Sequence, residues 1–367
     1  MEKIVFLVTS LNSGGIENYL FRFLKHYEGH FIPIIICKNG VHGELYEKYS
    51  QIKNIQFYDG NLTYINIFLF YKLYQFLLKN KPHSICDFTG NFAGIPLLLA
   101  KLAGVEHRVA FYRGSTDHFH GGRIKNIFNL AMNHLVFKNA TAILANSNLA
   151  IEYFFGNLNL NDSRLDVVYN GINASDFLNN KNNLRVELNI SKEQFVVAHI
   201  GRYDEAKNHI TIMKVAKKLI ELDKDYIIIL CGKNVDKQFQ NIIDKDQSLN
   251  GRIKLLGYTK DVIKVLNTAN CFYFPSITEG QPNALIEALV RGLPFVASNI
   301  KPISDIIPLD YQSQLIDPLN VELAVKKIQE IKESQELREN LNLSEWAIQN
   351  FDADRLFSQF KNKLSGK

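Results

Sequence analysis

Apolar strand-like runs that alternate with amphipathic helical segments are the feature that most constrains the fold of this chain. Segments with helical periodicity, such as Ile16–Tyr27, Tyr64–Leu78 and Lys125–Phe137, separate the runs in the first half. Runs rich in Val, Ile and Leu that are separated by helices indicate parallel sheets covered on both faces. The runs of the first half are Ile4–Val8, Phe31–Cys37, Ile55–Tyr58, Ser84–Phe88, Arg108–Tyr112, Ala142–Ala145 and Asp166–Tyr169.

The same alternation restarts at Phe195, after the polar stretch Gly171–Lys192, which is the best candidate for a linker. The later strands are predicted at Phe195–Ile200, Tyr226–Leu230, Ile253–Leu256, Cys271–Phe274, Phe295–Ser298 and Gln314–Ile316, and their helices at His209–Leu222, Lys260–Thr268, Asn283–Arg291 and Val321–Lys332. We therefore predict an α/β protein with two Rossmann-like, doubly wound domains, residues 1–172 and 173–345. Ligands are expected in a cleft between the domains, where strands end.

Composition and charge place the chain among globular proteins. Apolar residues make up 46% and charged residues 22% of the 367 residues. Residues 1–172 carry 16 Lys and Arg against 12 Asp and Glu within a total net charge of +5. This basic half could face anionic lipid or an acidic acceptor, and the alternative is an ordinary solvated surface.

Several absences bear on location. No signal peptide precedes the first strand, and the longest uncharged apolar run, Leu62–Tyr71, is shorter than the roughly 20 residues that span a bilayer. The four cysteines are scattered through strand-like runs without metal-ligand spacing. We expect buried free thiols and a cytoplasmic protein, with contact to the inner face of the membrane as an option.

The first candidate site is the loop LNSGGIENYL, which follows the first strand and opens a helix. Gly14 and Gly15 can leave backbone N–H groups exposed beside a helix N-terminus, an arrangement that attracts phosphate. The alternative is a plain tight turn. The NAD fingerprint and the Walker A pattern are both absent, which disfavours an NAD-dependent oxidoreductase.

The second candidate site is VAHIGRYDEAKNH, at the corresponding point of the second half. Gly201 permits a turn, while Arg202 and Lys207 place two cations at the end of a strand. Arginine can bind two phosphate oxygens and lysine supplies a point charge. The alternative makes both residues salt-bridge partners of Asp204 and Glu205.

The third candidate site is EGQPNALIEALVRGLP, with Glu279 in a loop and Glu287 on the helix that follows. Carboxylates accept hydrogen bonds from vicinal hydroxyls, so this pair suits sugar and ribose recognition. The helix N-terminus beside them is suited to phosphate. Two surface acids on an ordinary βα unit are the alternative.

Together the three motifs resemble the family-4 retaining glycosyltransferases of GT-B fold. Those enzymes share the early GG loop, the GR…K segment and the E-x7-E motif, here Glu279 to Glu287. The version EGQPNALIEA looks like a subgroup common in bacterial surface-polysaccharide synthesis. The segments VVYNGIN and LLGYTKDV add to the likeness, as does a closing helix, residues 346–367, that would return to the N-terminal domain.

The resemblance implies transfer of a sugar, with retention, from a UDP- or GDP-linked donor to a glycan or lipid-linked acceptor. It assigns catalytic roles to Arg202, Lys207 and Glu279. Glu279 would bind the donor sugar, Glu287 the ribose, and the backbone near Leu256–Tyr258 the base. No cofactor, metal or nucleic acid is implied. The substrate-binding residues that it implies are Gly14, Gly15, Gly201, Leu256, Tyr258, Gly280, Gln281, Pro282, Asn283 and Glu287.

One departure concerns the segment FYRGSTDHFH. Many relatives carry a histidine near the donor sugar where this chain has Phe111, Tyr112 and Arg113. Either Arg113 replaces that histidine or His118 reaches in, and a core or surface role for either residue is the alternative.

Three other hypotheses are open at this stage. A metal-dependent transferase of the other major fold is suggested by three D-x-D triplets, Asp223–Asp225, Asp244–Asp246 and Asp352–Asp354. None follows an apolar strand, so we interpret them as solvated charge. A GT-B hydrolase or epimerase acting on nucleotide sugars is the second alternative. A catalytically silent GT-B partner is the third, although such partners usually lose one of the donor-site charges that this chain retains.

Membrane contact is a further hypothesis, based on the segment GRIKNIFNLAMNHLVFK. Arg123, Lys125 and Lys138 flank its apolar face, which would suit an amphipathic helix at a lipid surface. Packing of that face in the core is the alternative.

Overall fold

The computed structural model describes residues 1–58, 60–62, 67–113, 123–156, 158, 160–259 and 261–366, and for residues 123–126 the backbone alone. The chain divides into two units. The first comprises Met1–Gly171 with Asp354–Lys367, and the second Ile172–Ala353. The sequence-based boundaries lie after residues 172 and 345, whereas the chain enters the second unit at Ile172 and leaves it at Asp354.

Both units are parallel sheets with helices between consecutive strands, as the alternation of apolar runs predicts. In chain order the strands are β1 (Lys3–Val8), β2 (Ile32–Cys37), β3 (Gln56–Tyr58), β4 (Ser84–Asp87), β5 (His107–Tyr112), β6 (Ala142–Ala145), β7 (Leu165–Val167), β8 (Phe195–Ile200), β9 (Tyr226–Cys231), β10 (Ile253–Leu256), β11 (Cys271–Phe274), β12 (Phe295–Ser298) and β13 (Leu315–Ile316).

Most of the longer helices are amphipathic and bury one face, as segments that cover a sheet do, whereas the short α7 and α14 bury no residue. In chain order they are α1 (Gly15–His26), α2 (Tyr46–Ser50), α3 (Ile67–Asn80), α4 (Gly94–Leu102), α5 (Arg123–Asn139), α6 (Asn148–Phe155), α7 (Ala174–Asn179), α8 (His209–Leu222), α9 (Val235–Lys245), α10 (Val262–Thr268), α11 (Asn283–Val290), α12 (Lys301–Ser304), α13 (Val321–Glu333), α14 (Gln335–Asn340), α15 (Ser344–Phe351) and α16 (Ala353–Leu364). Short 3₁₀ helices lie at Gly90–Ala93, Glu205–Lys207 and Leu309–Gln314.

The strand order of each sheet contains one point where the winding direction reverses. The first sheet has the order β3-β2-β1-β4-β5-β6-β7 and the second β10-β9-β8-β11-β12-β13. The reversal therefore lies between β1 and β4 in the first unit and between β8 and β11 in the second. Loops that leave the carboxyl ends of such strand pairs diverge and form a crevice, which is where ligands bind in open α/β sheets.

In the first unit, side chains of β1 alternate between two apolar layers. Val5 and Leu7 belong to the buried cluster under α3, α4, α5 and α6. Phe6 points to the other face, where its ring centroid lies 6.3 Å from that of Phe23 on α1. Phe360 of α16 packs 4.6 Å from Phe23, so the closing helix completes this aromatic layer.

The C-terminal tail is two helices rather than the single helical segment that its pattern suggests. α15 packs against α11 and belongs to the second unit. Asp352 has an extended ψ of 129°, which ends α15 before α16 begins at Ala353. The break lets the chain cover two different apolar surfaces.

Candidate active site

The reversal point of the second sheet carries two of the three predicted motifs. β8 and β11 are neighbours, with Val197 opposite Cys271, and the loops 201–208 and 275–282 follow them. The backbone N–H of Ile277 donates to the carbonyl of Ala206 at 2.8 Å, which ties the two loops together. Residues far apart in sequence thus form one edge of the unit.

Lys207 and Glu279 form an ion pair across these loops. The Lys207 ammonium donates to Oε1 of Glu279, and the two side chains are only 21% and 9% exposed. The Lys207 Nζ also lies 5.1 Å from the ring centroid of Phe274, at the end of β11. A shielded ammonium and carboxylate interact more strongly than a surface pair because solvent screens them less. The structure therefore places a fixed cation and a fixed anion side by side at this edge.

Asn208, next to Lys207, ties this loop to the loop after β11 and was missed in the sequence. Its backbone is left-handed, with φ of +57°, a conformation that Asn tolerates better than most residues. Its buried amide donates to the carbonyls of Pro275, at 3.1 Å, and Pro318, at 2.9 Å. The signal for this role was the Asn between a charged loop and a helix, but its two acceptors are not visible in a sequence.

Gly201 is needed for close approach rather than for a turn with positive φ. A Cβ at this position would lie 2.9 Å from Nε2 of His199 and 3.3 Å from Cδ of Lys207. A Cβ on Gly232, after β9, would lie 2.0 Å from the Gly201 carbonyl oxygen. Two glycines therefore let the lysine side chain and two loops pack together, and the need for Gly232 was missed.

Arg202 has a different environment from Lys207. Its Nη2 lies 3.1 Å from Oδ2 of Asp204, and its side chain is 72% exposed. This pair matches the alternative reading for Arg202, whereas Lys207 pairs with Glu279 and not with Glu205. Asp204 also accepts a hydrogen bond from the Ala206 N–H at 3.0 Å, so it orders the loop. A catalytic role for Arg202 stays a prediction.

The first turn of α11 lies directly after the Glu279 loop. Pro282 precedes the helix, and no side chain caps it. Asn283 and Glu287 are four positions apart and therefore share one face of α11. Gly280 and Gln281 complete the loop, and Gln281 is buried. The sequence placed Glu279 in a loop and Glu287 on a helix, and the structure has them there.

The predicted base-binding segment lies beside β9. The N–H of Gly232 donates to the carbonyls of Leu256, at 3.0 Å, and Gly257, at 3.2 Å, so these two acceptors are engaged within the fold. Tyr258 is largely exposed. Of the predicted residues here, Tyr258 is the one whose side chain is open to a ligand.

Two buried histidines, His199 at the end of β8 and His209 at the start of α8, flank the loop that carries Lys207. Nδ1 of His199 lies 3.0 Å from the Tyr273 carbonyl, and the His199 and His209 rings are 5.0 Å apart. Burial lowers the pKa of both, strongly for His199, and their mutual proximity lowers the pKa of His199 further. Both are therefore neutral at pH 7. Neither was selected from the sequence.

In the first unit, the GG loop lies at the reversal point between β1 and β4. Gly14 precedes α1 without a side-chain cap, and a Cβ on it would lie 2.5 Å from Oε2 of Glu17. A Cβ on Gly15 would meet nothing within 4 Å. The first turn of α1 therefore faces open space at Gly15. Gly15 belongs to the first unit and Lys207 to the second, so their common diphosphate site stays a prediction.

Arg113 lies directly after β5 and stacks on aromatic rings. Its guanidinium carbon is 4.0 Å from the Tyr19 ring centroid and 4.8 Å from that of Phe111. Its Nε and Nη1 are buried and have no hydrogen-bond partner among the residues that the structure describes. Burial lowers its pKa to about 10. The other candidate in this segment, His118, lies outside the described residues.

A buried ion pair at the carboxyl ends of β2 and β4, in the first unit, was missed in the sequence. The Lys38 ammonium lies 2.6 Å from Oδ2 of Asp87 and donates to Thr89 Oγ1 at 2.6 Å. Lys38 follows β2 and Asp87 ends β4. Burial lowers the pKa of Lys38, although Asp87 opposes the shift. These two residues are distant in sequence and meet only in the folded chain, so no local sequence pattern predicts the pair.

The D-x-D triplets lie in ordinary surface interactions. Asp223 pairs with Lys332, and Asp246 lies 3.1 Å from the Lys217 ammonium. Asp354 lies 3.5 Å from Nδ1 of His26. These contacts agree with the interpretation of the triplets as solvated charge. The predicted buried free cysteines are confirmed for all four positions.

Comparison with known sequences identifies both halves of the chain. Residues 180–344 match the family described as "Glycosyl transferases group 1", and residues 13–176 match "Glycosyltransferase Family 4". EpsF of Bacillus subtilis, whose name places it among glycosyltransferases, is 29% identical over 59% of this chain and 56% of its own length. The capsular polysaccharide biosynthesis glycosyltransferase CapH of Staphylococcus aureus is 26% identical over 83% of this chain and 84% of its own.

Two further proteins extend the comparison. The UDP-Gal:alpha-D-GlcNAc-diphosphoundecaprenol alpha-1,3-galactosyltransferase of Escherichia coli is 26% identical over 67% of this chain and 65% of its own length. Among solved structures, Anabaena HepE in complex with UDP and glucose superimposes with a TM-score of 0.80, at 19% identity and full coverage of both chains. At that identity the likeness shows the fold, and it confirms the predicted two-domain α/β architecture.

Proposed function

Because the chain belongs to the family-4 glycosyltransferases of GT-B fold, we propose that it transfers a sugar, with retention of configuration, from a nucleoside diphosphate donor to a lipid-linked or glycan acceptor. The observation that carries this proposal is the Lys207–Glu279 pair beside the uncapped first turn of α11. A cation, a helix N-terminus and a hydroxyl-binding carboxylate together suit a nucleotide sugar.

The proposed chemistry depends on charge that develops on the leaving diphosphate. As the glycosidic bond breaks, negative charge grows on the β-phosphate, and preorganised donors stabilise it. Lys207 supplies a fixed charge and α11 supplies backbone N–H groups, with Arg202 as a mobile second cation. Glu279 orients the sugar through its hydroxyls, and Glu287 holds the ribose.

Retention and independence from metal are part of the same proposal. The acceptor hydroxyl attacks from the face that the diphosphate leaves, and a donor phosphate oxygen takes its proton, so no enzymic nucleophile is needed. Cationic side chains rather than a bound metal neutralise the diphosphate. The D-x-D triplets do not favour a metal site, because Asp223 and Asp246 pair with surface lysines and Asp354 lies beside His26.

We favour UDP as the nucleotide and a lipid-linked sugar diphosphate as the acceptor. HepE, whose fold this chain shares, was solved with UDP bound. The name of the Escherichia coli relative specifies a UDP-sugar donor and a diphosphoundecaprenol acceptor. Arg113 has buried N–H groups without a partner in the described chain, which suits an anionic substrate group. The product class would be a surface polysaccharide, as in the name of the Staphylococcus aureus relative.

A lipid-linked acceptor would require the protein to approach a membrane surface. None of the helices in the described part of the chain is long and apolar enough to cross a bilayer. The first unit does expose large apolar side chains, Ile67, Phe68 and Tyr71 on α3 and Ile127 and Leu130 on α5. Lysines 72, 79 and 138 accompany them. We propose that these exposed side chains of α3 and α5 rest on anionic lipid.

Flotation with anionic liposomes tests the membrane proposal. Phe68→Glu combined with Ile127→Glu should abolish binding, while Leu309→Glu, at an equally exposed apolar position in the second unit, should not. Salt should weaken the binding because the lysines contribute through charge. Equal flotation of all three proteins, or no flotation of the unaltered chain at low salt, contradicts the proposal.

The transfer proposal is tested by a screen of nucleotide sugars. UDP-sugars should raise the melting temperature of the full chain more than GDP-sugars, and nucleotide release should require an acceptor. Fast release without acceptor would favour the hydrolase alternative. Binding without any release or product would favour a silent partner, and conversion of the donor sugar would indicate an epimerase.

A further inference from the structure

Two histidines and two glutamates gather at the edge of the first sheet where the strands begin. Glu2 precedes β1, His83 precedes β4, Glu106 precedes β5 and His107 is its first residue. These three strands are neighbours in the sheet. The backbone N–H of His83 donates to the Lys3 carbonyl at 2.9 Å. Pairing of the strands therefore fixes the backbone positions from which these side chains extend.

The side chains converge on one another. The ligand atoms of His83, Glu106 and His107 all lie within 4.8 Å of one another. Nε2 of His107 is 3.9 Å from Oε2 of Glu106, and Nε2 of His83 is 4.0 Å from Oε2 of Glu2. The two imidazole rings have centroids 4.7 Å apart and meet edge to face. Within the described residues, no other group of three such side chains has this geometry.

We propose that His83, Glu106 and His107, with Glu2 as a fourth ligand, bind a divalent transition-metal ion, and that zinc is the best match. Imidazole and carboxylate are common zinc ligands, and the site lacks the crowd of oxygen atoms that calcium and magnesium prefer. With metal–ligand distances of about 2.1 Å, two ligands of one ion are at most about 4.2 Å apart. The widest pair among His83, Glu106 and His107 must therefore close by up to about 0.6 Å, and the exposed Glu2 side chain, which lies outside this group of three, must move towards it to serve as the fourth ligand.

The surroundings orient the cluster and leave it accessible. Arg108 donates from Nη1 to the carbonyls of Val105, at 2.6 Å, and Glu106, at 2.9 Å, so this neighbouring cation is directed at the backbone. Gly366 packs so closely on His107 that a Cβ there would lie 2.2 Å from Cε1, which restricts rotation of the ring. Glu2, His83 and Glu106 line a surface depression of about 550 Å³, through which an ion can enter.

The location indicates what the ion would do. The candidate donor and acceptor residues follow strand ends, whereas this cluster precedes strand starts, at the opposite edge of the sheet. A bound ion would link β1, β4 and β5 and stabilise the folded first unit by mass action. This inference does not rest on the proposed transfer reaction, and it leaves that reaction metal-independent.

Zinc binding by the untagged full chain tests this inference. After treatment with EDTA and its removal, the protein should bind one equivalent of zinc in competition with a chromophoric chelator. Zinc should raise its melting temperature, and millimolar magnesium should neither raise it nor displace the zinc. Cobalt should bind with the visible absorption of an ion held by nitrogen and oxygen ligands of low coordination number.

Variants separate this site from adventitious histidine binding. The double variant His83→Asn with His107→Asn should no longer bind one equivalent of zinc. Glu106→Gln should weaken zinc binding by about 10-fold or more. The matched control is His30→Asn with His134→Asn, which alters two exposed histidines of the same unit and should bind as the unaltered chain does. No saturable equivalent in the unaltered protein, or equal binding by all variants, overturns the proposal. Glu106→Gln keeps the test valid if the double variant misfolds, because the Glu106 side chain is exposed and its change should leave the fold intact.

Discussion

At the level of single residues, Lys207 and Arg202 are cations in different environments. Lys207 is shielded and pairs with Glu279, whereas Arg202 is exposed. The sequence predicted both at the end of β8, but not that Lys207 would pair with Glu279, 72 positions away. That pairing depends on how two loops meet, which no local pattern contains. Arg202, by contrast, pairs with its near neighbour Asp204, and this is the kind of contact that spacing does reveal.

The first prediction is that Lys207→Ala lowers turnover by about 10²–10³-fold, the effect expected when one preorganised partner of the transition state is removed. Arg202→Ala should lower turnover in the same range if the arginine leaves Asp204 to contact the diphosphate. UDP affinity should fall less than turnover in both variants, because the charge grows as the bond breaks. Steady-state turnover and UDP titration measure the two quantities. A loss of UDP affinity with turnover at saturating donor unchanged would show that these cations only bind the ground state.

The second prediction separates the two carboxylates of the E-x7-E motif. Glu279→Gln should abolish transfer while binding UDP at least as tightly as the unaltered chain, because it removes a negative charge from beside Lys207. Glu287→Ala should instead weaken UDP binding, since it removes the ribose contact. Isothermal titration with UDP, which lacks the sugar, distinguishes the two. A loss of UDP affinity in Glu279→Gln with none in Glu287→Ala would reverse the assigned roles.

At the scale of elements, the strands were predictable and several helices were not. Every strand of the described sheets overlaps a predicted run. The central strands were the clearest, because a strand buried on both faces reads as a continuous apolar segment, whereas the edge strands β3 and β7 are only partly buried. α4 was missed because Gly94 and Pro96 resemble loop signals, although proline is tolerated in the first turn of a helix. Only the C-terminal end of α9 was predicted, as a polar helical segment around Asp244–Asp246, because polar neighbours obscure the four-residue spacing of the buried Val235, Phe239 and Ile243.

The third prediction concerns the connection between the two loops of the second unit. Asn208→Ala should destabilise the protein more than Asn208→Gly, by about 1 kcal/mol, because alanine resists the left-handed backbone that glycine accepts. Both variants lose the amide bonds to Pro275 and Pro318, so both should lower turnover by displacing Lys207. Urea unfolding and turnover are the measurements. Normal turnover in Asn208→Gly would show that Asn208 does not position the lysine.

At the level of the whole molecule, the location of the candidate site could be predicted from the sequence, but the contacts among its residues could not. The motifs after β1, β8 and β11 indicated the strand ends, and the topology explains why they matter, since these strands flank the reversal points of the two sheets. The supporting residues His199, Gly232 and the Lys38–Asp87 pair depend on contacts between distant segments. Their roles therefore emerge only from the fold.

The fourth prediction is a loss of stability below pH 6.5. His199 and His209 have pKa values below 6.5 in the folded chain because they are buried, so the unfolded chain takes up protons first as the pH falls. Stability should be unaffected by these groups above pH 6.5 and should fall below it, by up to roughly 1.4 kcal/mol per pH unit for each histidine.

Urea unfolding midpoints between pH 7.5 and 5.5 measure this effect. His199→Asn, which can keep a donor towards the Tyr273 carbonyl, should flatten the pH dependence, and His134→Asn, at an exposed position, should leave it unchanged. The same slope in all three proteins would mean that His199 is not held neutral by the fold.

Sugar transfer at the Lys207–Glu279 edge of the second unit is tested by comparing two double variants. Lys207→Ala with Glu279→Gln removes the proposed site. Lys218→Ala with Glu322→Gln removes a similar Lys–Glu pair on the exposed surface of the same unit. The measurement is acceptor-dependent release of nucleotide from the donor that the screen identifies. We expect the first variant to be inactive and the second to be fully active. Full transfer by the first variant would show that Lys207 and Glu279 are not the transferase site.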